Sequence, residues 1–161
     1  MVNNGLKRWI IPRSEISGKV GIEMYGKFQH TIDAKGRLFI PAKLREKLGD
    51  NFYVTISFED CLTIYSKERW SKAEEKLETM SQSAQMELRP LFSNAQEAEL
   101  DAQGRIQLTQ NLRDAACLKK NVTIVGTGLY VQIWDSDVYK PVEMEETNRE
   151  NLKAVIEKYN F

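Results

Sequence analysis

The residues with the most chemistry in this chain form a five-residue turn that occurs twice, as Asp33-Ala34-Lys35-Gly36-Arg37 and as Asp101-Ala102-Gln103-Gly104-Arg105. Aspartate at the first position of such a turn accepts backbone N–H bonds, and glycine at the fourth takes positive φ at no steric cost. The arginine that follows opens a strand, so a cation is carried on a stiff shoulder, which is the geometry that recognition of phosphates or base edges requires. Arginine suits this better than lysine because its planar fork can bond guanine O6 and N7 together. Lys35 and Arg37 are the principal candidates for contact with nucleic acid, with Lys43, Arg45 and Arg105 behind them. A carboxylate cannot itself attract a polyanion, so Asp33, Gly36, Asp101 and Gly104 are read as fixing the turns.

Other chemistry is thinly represented. His30 is the only histidine, and its place between Phe28 and Ile32 reads as a hydrogen-bonded core position. The best nucleophile, base and orienting acid on offer are Cys61, His30 and Asp33, with no supporting local motif, so no enzyme is expected. Cys61 and Cys117 lack metal-ligand or redox spacing and read as two buried thiols in a reducing cytosol. Gly126-x-Gly128 lacks the third glycine and helix start of a dinucleotide fingerprint, and no GxxxxGK loop occurs. No cofactor or metal is expected.

The 161 residues are 42% hydrophobic and 29% charged, the composition of a soluble globular protein. No apolar run approaches the ~20 residues of a membrane helix. The Trp9-Ile10-Ile11 run stops at Pro12, too short for a signal peptide, so the cytoplasm is expected. The 23 basic and 23 acidic residues cancel, but unevenly along the chain. Lys27, Lys35, Arg37, Lys43, Arg45 and Lys47 stand against only Asp33 and Glu46, a local net of +4, whereas residues 135–150 carry −4. That asymmetry is compatible with local binding of an anionic partner.

The turns do not recur alone. The same offset of 68 carries Leu44-Arg45 onto Leu112-Arg113 and Val54-Thr55-Ile56 onto Val122-Thr123-Ile124. With one residue inserted, Ile64-Tyr65-Ser66 and Trp70 match Ile133-Trp134-Asp135 and Tyr139, so the unit is duplicated. In the first copy, alternation puts Phe28, His30 and Ile32 on one strand face, and Leu38 and Ile40 inward on the next, opposite Arg37 and Phe39. Pro41, the Leu44/Leu48 pair and Gly49 predict a short helix over 41–48, and Thr109 takes the place of Pro41 as a cap in the second copy. Strands follow over 52–57 and 62–65, then a helix capped by Ser66 with Trp70, Ala73, Leu77 and Met80 on its apolar side.

Pro90 divides the connector into two short helical pieces. Thr147 and Glu150 form a capping box before the stripe Leu152, Val155, Ile156 and Tyr159, which is expected to pack on the body of the protein or on a neighbouring subunit. The organisation read from this is a leader or tail without ordered structure over 1–23, with Met24 as an alternative start. A first repeat with its helix over 24–80, a helical connector over 81–95, and a second repeat with a C-terminal helix over 96–161 follow it.

The run from Tyr25 through Arg37, followed by Ile40-Pro41-Ala42-Lys43-Leu44-Arg45, resembles the opening of the MraZ family of bacterial transcriptional regulators. Phe92-Ser93-Asn94-Ala95, Asp101 to Arg105 and Ile133-Trp134 are similar to its second half, so the likeness runs from Met24 to about Tyr139. It implies an α+β fold of two tandem copies of a swapped-hairpin, AbrB-like β-barrel unit with flanking helices, assembled into a ring-shaped homo-oligomer. It also implies nucleoid-associated, cytoplasmic binding to double-stranded DNA at short direct repeats. The promoters would be those of the division and cell wall gene cluster, its own included, usually under repression.

Gln103 stands where the first turn has Lys35, and residues 97–114 carry a net −2, so the first copy is expected to be the main DNA contact and the second mainly scaffold and ring contact. Two rival readings remain: an AbrB-like antitoxin or global regulator, and a ring-forming interaction scaffold that does not touch DNA. The fused double copy and the long helical segments speak against the first.

Overall fold

The computed structural model describes residues 23–161. The expected leader therefore lies outside the described residues, apart from Glu23, whose N–H donates to Gly128 O at 3.1 Å and whose carboxylate meets Lys47 Nζ at 2.7 Å. The first copy comprises β1 (Met24–Thr31), β2 (Arg37–Phe39), α1 (Ala42–Leu48), β3 (Asn51–Ile56), β4 (Cys61–Ser66) and α2 (Lys67–Glu78). The connector forms α3 (Gln82–Glu87) and α4 (Arg89–Ser93). The second copy comprises β5 (Gln96–Glu99), β6 (Arg105–Gln107), α5 (Gln110–Ala115), β7 (Asn121–Gly128), β8 (Val131–Asp135) and α6 (Ser136–Glu146), and α7 (Arg149–Lys158) closes the chain.

Local chemistry accounts for the boundaries. Pro41 caps α1 and Gly49 ends it at φ 78°, while in the second copy the Thr109 hydroxyl accepts from Leu112 N at 3.3 Å. Ser66 accepts from Arg69 N at the start of α2. Leu88 separates α3 from α4, whose first turn holds Pro90, and buried Thr55 donates to Leu91 O at 2.6 Å, tying the connector to β3. Trp70 stacks on Tyr53 at 5.2 Å and tilts against Phe92 at 5.1 Å, so the α2 stripe is anchored within the chain at Trp70, while Ala73, Leu77 and Met80 are half-buried.

The strands pair across the repeat. An antiparallel six-stranded sheet runs β1-β7-β8-β4-β3-β5, and β2 pairs with β6 in a separate antiparallel ribbon. Exchanging the copies, β1 for β5, β2 for β6, β3 for β7 and β4 for β8, reverses the sheet order and leaves it unchanged. Each copy's first strand thus lies against the other copy's third strand. The core is shared accordingly: Leu38, Ile40, Leu44 and Phe52 pack in one cluster with Ile106, Leu108, Leu112 and Ile124. The sheet is open, and no closed barrel forms among the described residues, in contrast to the one barrel per copy implied by the resemblance. A copy taken alone would leave that apolar face in water.

One helix is added to the expected set, the cap of the last helix is corrected, and of the two settings expected for its stripe the body of this chain is excluded. Helix α6 was not foreseen, because Pro141 and a run of glutamates interrupt its pattern; Asp135 caps it by accepting from Asp137 N at 3.1 Å. Thr147 ends α6, its hydroxyl donating to Glu143 O, and Asn148 caps α7 by accepting from Glu150 N and Asn151 N. The α7 stripe does not pack on the body of this chain: Leu152, Val155, Ile156 and Tyr159 are 41–63% exposed.

Candidate nucleic-acid interface

The first turn is closed by bonds among its own residues. Asp33 N donates to Arg37 O and Gly36 N donates to Asp33 O, both at 3.0 Å. The Asp33 Oδ1 accepts from the N–H of Lys35 and of Arg37, each at 2.9 Å. Gly36 is at φ 79°, where any side chain would be strained. The second turn repeats the pattern: Asp101 Oδ1 accepts from Gln103 N and Arg105 N at 2.9 Å, and Gly104 sits at φ 76°.

Each carboxylate then reaches its own arginine. Arg37 Nε donates to Asp33 Oδ2 at 2.6 Å and Arg105 Nε to Asp101 Oδ2 at 2.9 Å. Arg37 is neither sealed inside nor swinging free: its side chain is 33% exposed and its acid is the one in its own turn. The pair engages Nε and sets the plane of the guanidinium, whose Nη end is where a partner would be met. The backbone N–H of Arg37, the Arg37 side chain and the Lys35 N–H together hold the Asp33 carboxyl below its ordinary range, and Arg105 and Gln103 do the same for Asp101.

Pairing of β2 with β6 brings the two turns into one surface. Arg37 faces Gln107 and Phe39 faces Arg105 in the register. Ile40 N donates to Gly104 O and Leu108 N to Gly36 O, both at 2.9 Å, while Gln107 Nε2 donates to Lys35 O at 3.2 Å. Arg105 Nη1 stands 3.9 Å from Asp33 Oδ2, so both turn arginines border one carboxylate. The second turn is therefore a direct neighbour of the first within a single chain.

The remaining candidates separate. Lys35 is exposed at the tip. Arg45 is half-buried, its guanidinium over the Phe39 ring at 5.2 Å and against Gly104. Lys43 is exposed on α1 and takes no part in the hydrogen bonds of the turns. The basic stretch is not one patch: Lys27 pairs with Glu143 of α6 at 3.6 Å and Lys47 with Glu23. Arg113 was missed by the sequence reading although the offset of 68 places it opposite Arg45, and its guanidinium lies against Gly36.

The remaining chemistry is structural. His30 is half-buried against Phe39, ring centroids 5.2 Å apart, a packing contact at the margin of the core and not a hydrogen-bonded core position. Cys61 is buried among Val125, Trp134 and Tyr139, and burial pushes its thiol up to about 11, away from the thiolate a nucleophile needs. Cys117 is exposed, contrary to the expectation of two buried thiols. Among the described residues no group of three or more His, Cys, Asp or Glu is placed to hold a metal ion, and no helix is long and apolar enough to cross a membrane.

Fold and site together define a class: a two-copy α+β protein, mostly antiparallel, that presents a pair of Asp-x-x-Gly-Arg turns side by side. The family model described as "MraZ protein, putative antitoxin-like" matches residues 24–89 and again 91–158, once for each copy. The chain belongs to the MraZ family. It is 42% identical over 125 residues to the transcriptional regulator MraZ of Acetivibrio thermocellus, covering 76% of this chain and 87% of that protein. It is 46% identical over 115 residues to that of Heliobacterium modesticaldum, covering 70% and 80%, and 43% over 117 residues to that of Carboxydothermus hydrogenoformans, covering 71% and 82%.

Proposed function

We propose that this chain is a non-enzymatic, sequence-specific transcriptional regulator that binds double-stranded DNA through its paired turns. The observation that carries this reading is the juxtaposition of Arg37 and Arg105, each oriented by the aspartate of its own turn and both bordering Asp33. Lys35 stands exposed beside them, with Lys43 and Arg45 flanking. The relatives' naming as transcriptional regulators supports the same role, and the crosswise strand pairing supports the swapped-hairpin class.

The proposed targets are short direct repeats in the promoter of the division and cell wall gene cluster, the chain's own promoter included, with repression as the outcome, in the nucleoid-associated cytoplasm. One pair of adjacent turns spans only a few base pairs and binds weakly. A ring-shaped homo-oligomer links several such pairs, and linkage can raise avidity by ~10²- to 10⁴-fold. The exposed α7 stripe is apolar surface available for contact between copies.

Fluorescence anisotropy on DNA from upstream of the chain's own gene, repeated over a range of salt concentrations, tests the reading. Affinity should fall linearly in a log–log plot, with a slope of about −0.9 for each phosphate neutralised. A salt-independent response, or none, would sink it and leave the scaffold reading.

A further inference from the structure

We infer that Arg45 and Arg113 are positioning residues that act crosswise, Arg113 bracing the first turn and with it Arg37, Arg45 bracing the second and with it Arg105. A Cβ added to Gly36 would lie 3.0 Å from Cζ and 3.1 Å from Nε of Arg113. One added to Gly104 would lie 2.5 Å from Nη1 and 2.8 Å from Cζ of Arg45. Each guanidinium thus rests on the bare Cα of a glycine in the opposite copy, in space that any other residue would fill.

The same glycine carbonyls accept N–H bonds from the opposite copy, Leu108 to Gly36 and Ile40 to Gly104, so arginine and backbone grip one residue of the turn from two sides. The Nε atoms of Arg45 and Arg113 are buried without a hydrogen-bond partner. A buried Nε cannot reach a phosphate, and the contact it makes is the packing of a plane, which suits guanidinium and not ammonium. Arg45 takes the positioning role on this reading. It is further held by the Phe39 ring at 5.2 Å, whereas the residue matching Phe39 beside Arg113 is Gln107.

Backbone hydrogen exchange followed by NMR on the full chain tests the bracing without DNA. Arg113→Ala should speed exchange about 10-fold at Lys35, Gly36 and Arg37 while Gln103, Gly104 and Arg105 stay within about 2-fold, and Arg45→Ala should do the reverse. Lysine at either position should not restore protection. Should an alanine variant fail to fold, the lysine variants carry the same comparison. Perturbation of the variant's own-copy turn, of both turns equally, or full rescue by lysine overturns the inference.

The DNA arm rests on the proposed function. Arg113→Ala should weaken binding about 10-fold in the wild-type and Arg105→Ala backgrounds but less than about 2-fold once Arg37 is alanine. An undiminished effect in the Arg37→Ala background makes Arg113 a contact in its own right and overturns the positioning role. If wild-type protein does not bind DNA, the proposed function fails while the exchange pattern still decides the bracing.

Discussion

Asp33 and Asp101 each hold three groups of their own turn, two backbone N–H donors and one arginine Nε. Such bonds favour the ionised carboxyl, so both groups titrate below the ordinary aspartate range in the folded state. A depressed carboxyl contributes stability that is complete above its unfolded value and lost as pH falls through its folded value. Thermal unfolding should therefore show this pair's contribution at its full, pH-independent value above about pH 4 and lost progressively below it. The double variant Asp33→Asn, Asp101→Asn should decline less steeply over that acid range. An equal acid dependence in the variant would show that the turns are held by something other than these carboxylates. At this scale the sequence was most legible: Asp at the first position, Gly at the fourth and Arg after it have local geometric consequences that need no knowledge of the fold. Arg113 was legible through its offset from Arg45, but its packing on a glycine of the other copy depends on the crosswise pairing, which no local pattern shows.

Among the elements, α1 and α5 show one boundary fixed by two chemistries. Pro41 caps α1 without a side-chain hydrogen bond, whereas Thr109 caps α5 through its hydroxyl. Thr109→Ala should lower stability by about 1 kcal/mol in urea titration and Thr109→Ser should restore most of it. A neutral alanine would mean that burial of Leu112 alone fixes the start of α5. The two-piece connector followed from Pro90 because a proline in mid-helix removes a bond and clashes with the preceding turn. The same rule hid α6, where packing of Tyr139 against Trp134 sustains a helix through Pro141. Local signals also misplaced the cap of α7, since Thr147 and Asn148 are both good capping residues and only the end of α6 decides between them.

For the molecule as a whole, the duplication was legible and the pairing was not. Two similar copies offer nearly identical strands, so periodicity cannot say whether β1 lies on its own copy's third strand or on β7. That choice is made by a core drawn from both copies, and it puts the two turns side by side. The exposed α7 stripe belongs to this scale too. In the proposed ring, replacing Val155 and Ile156 together by aspartate should reduce the mass in light scattering without loss of helical signal, and an unchanged mass would exclude α7 from any contact between copies. The central claim, that the adjacent turn arginines form the DNA-reading surface, is tested most directly by anisotropy titration of Arg37→Ala, Arg105→Ala protein against wild type on DNA from upstream of the chain's own gene. With the fold retained, loss of about 1–3 kcal/mol for each arginine that makes a bidentate base contact is expected; affinity equal to wild type would contradict the account.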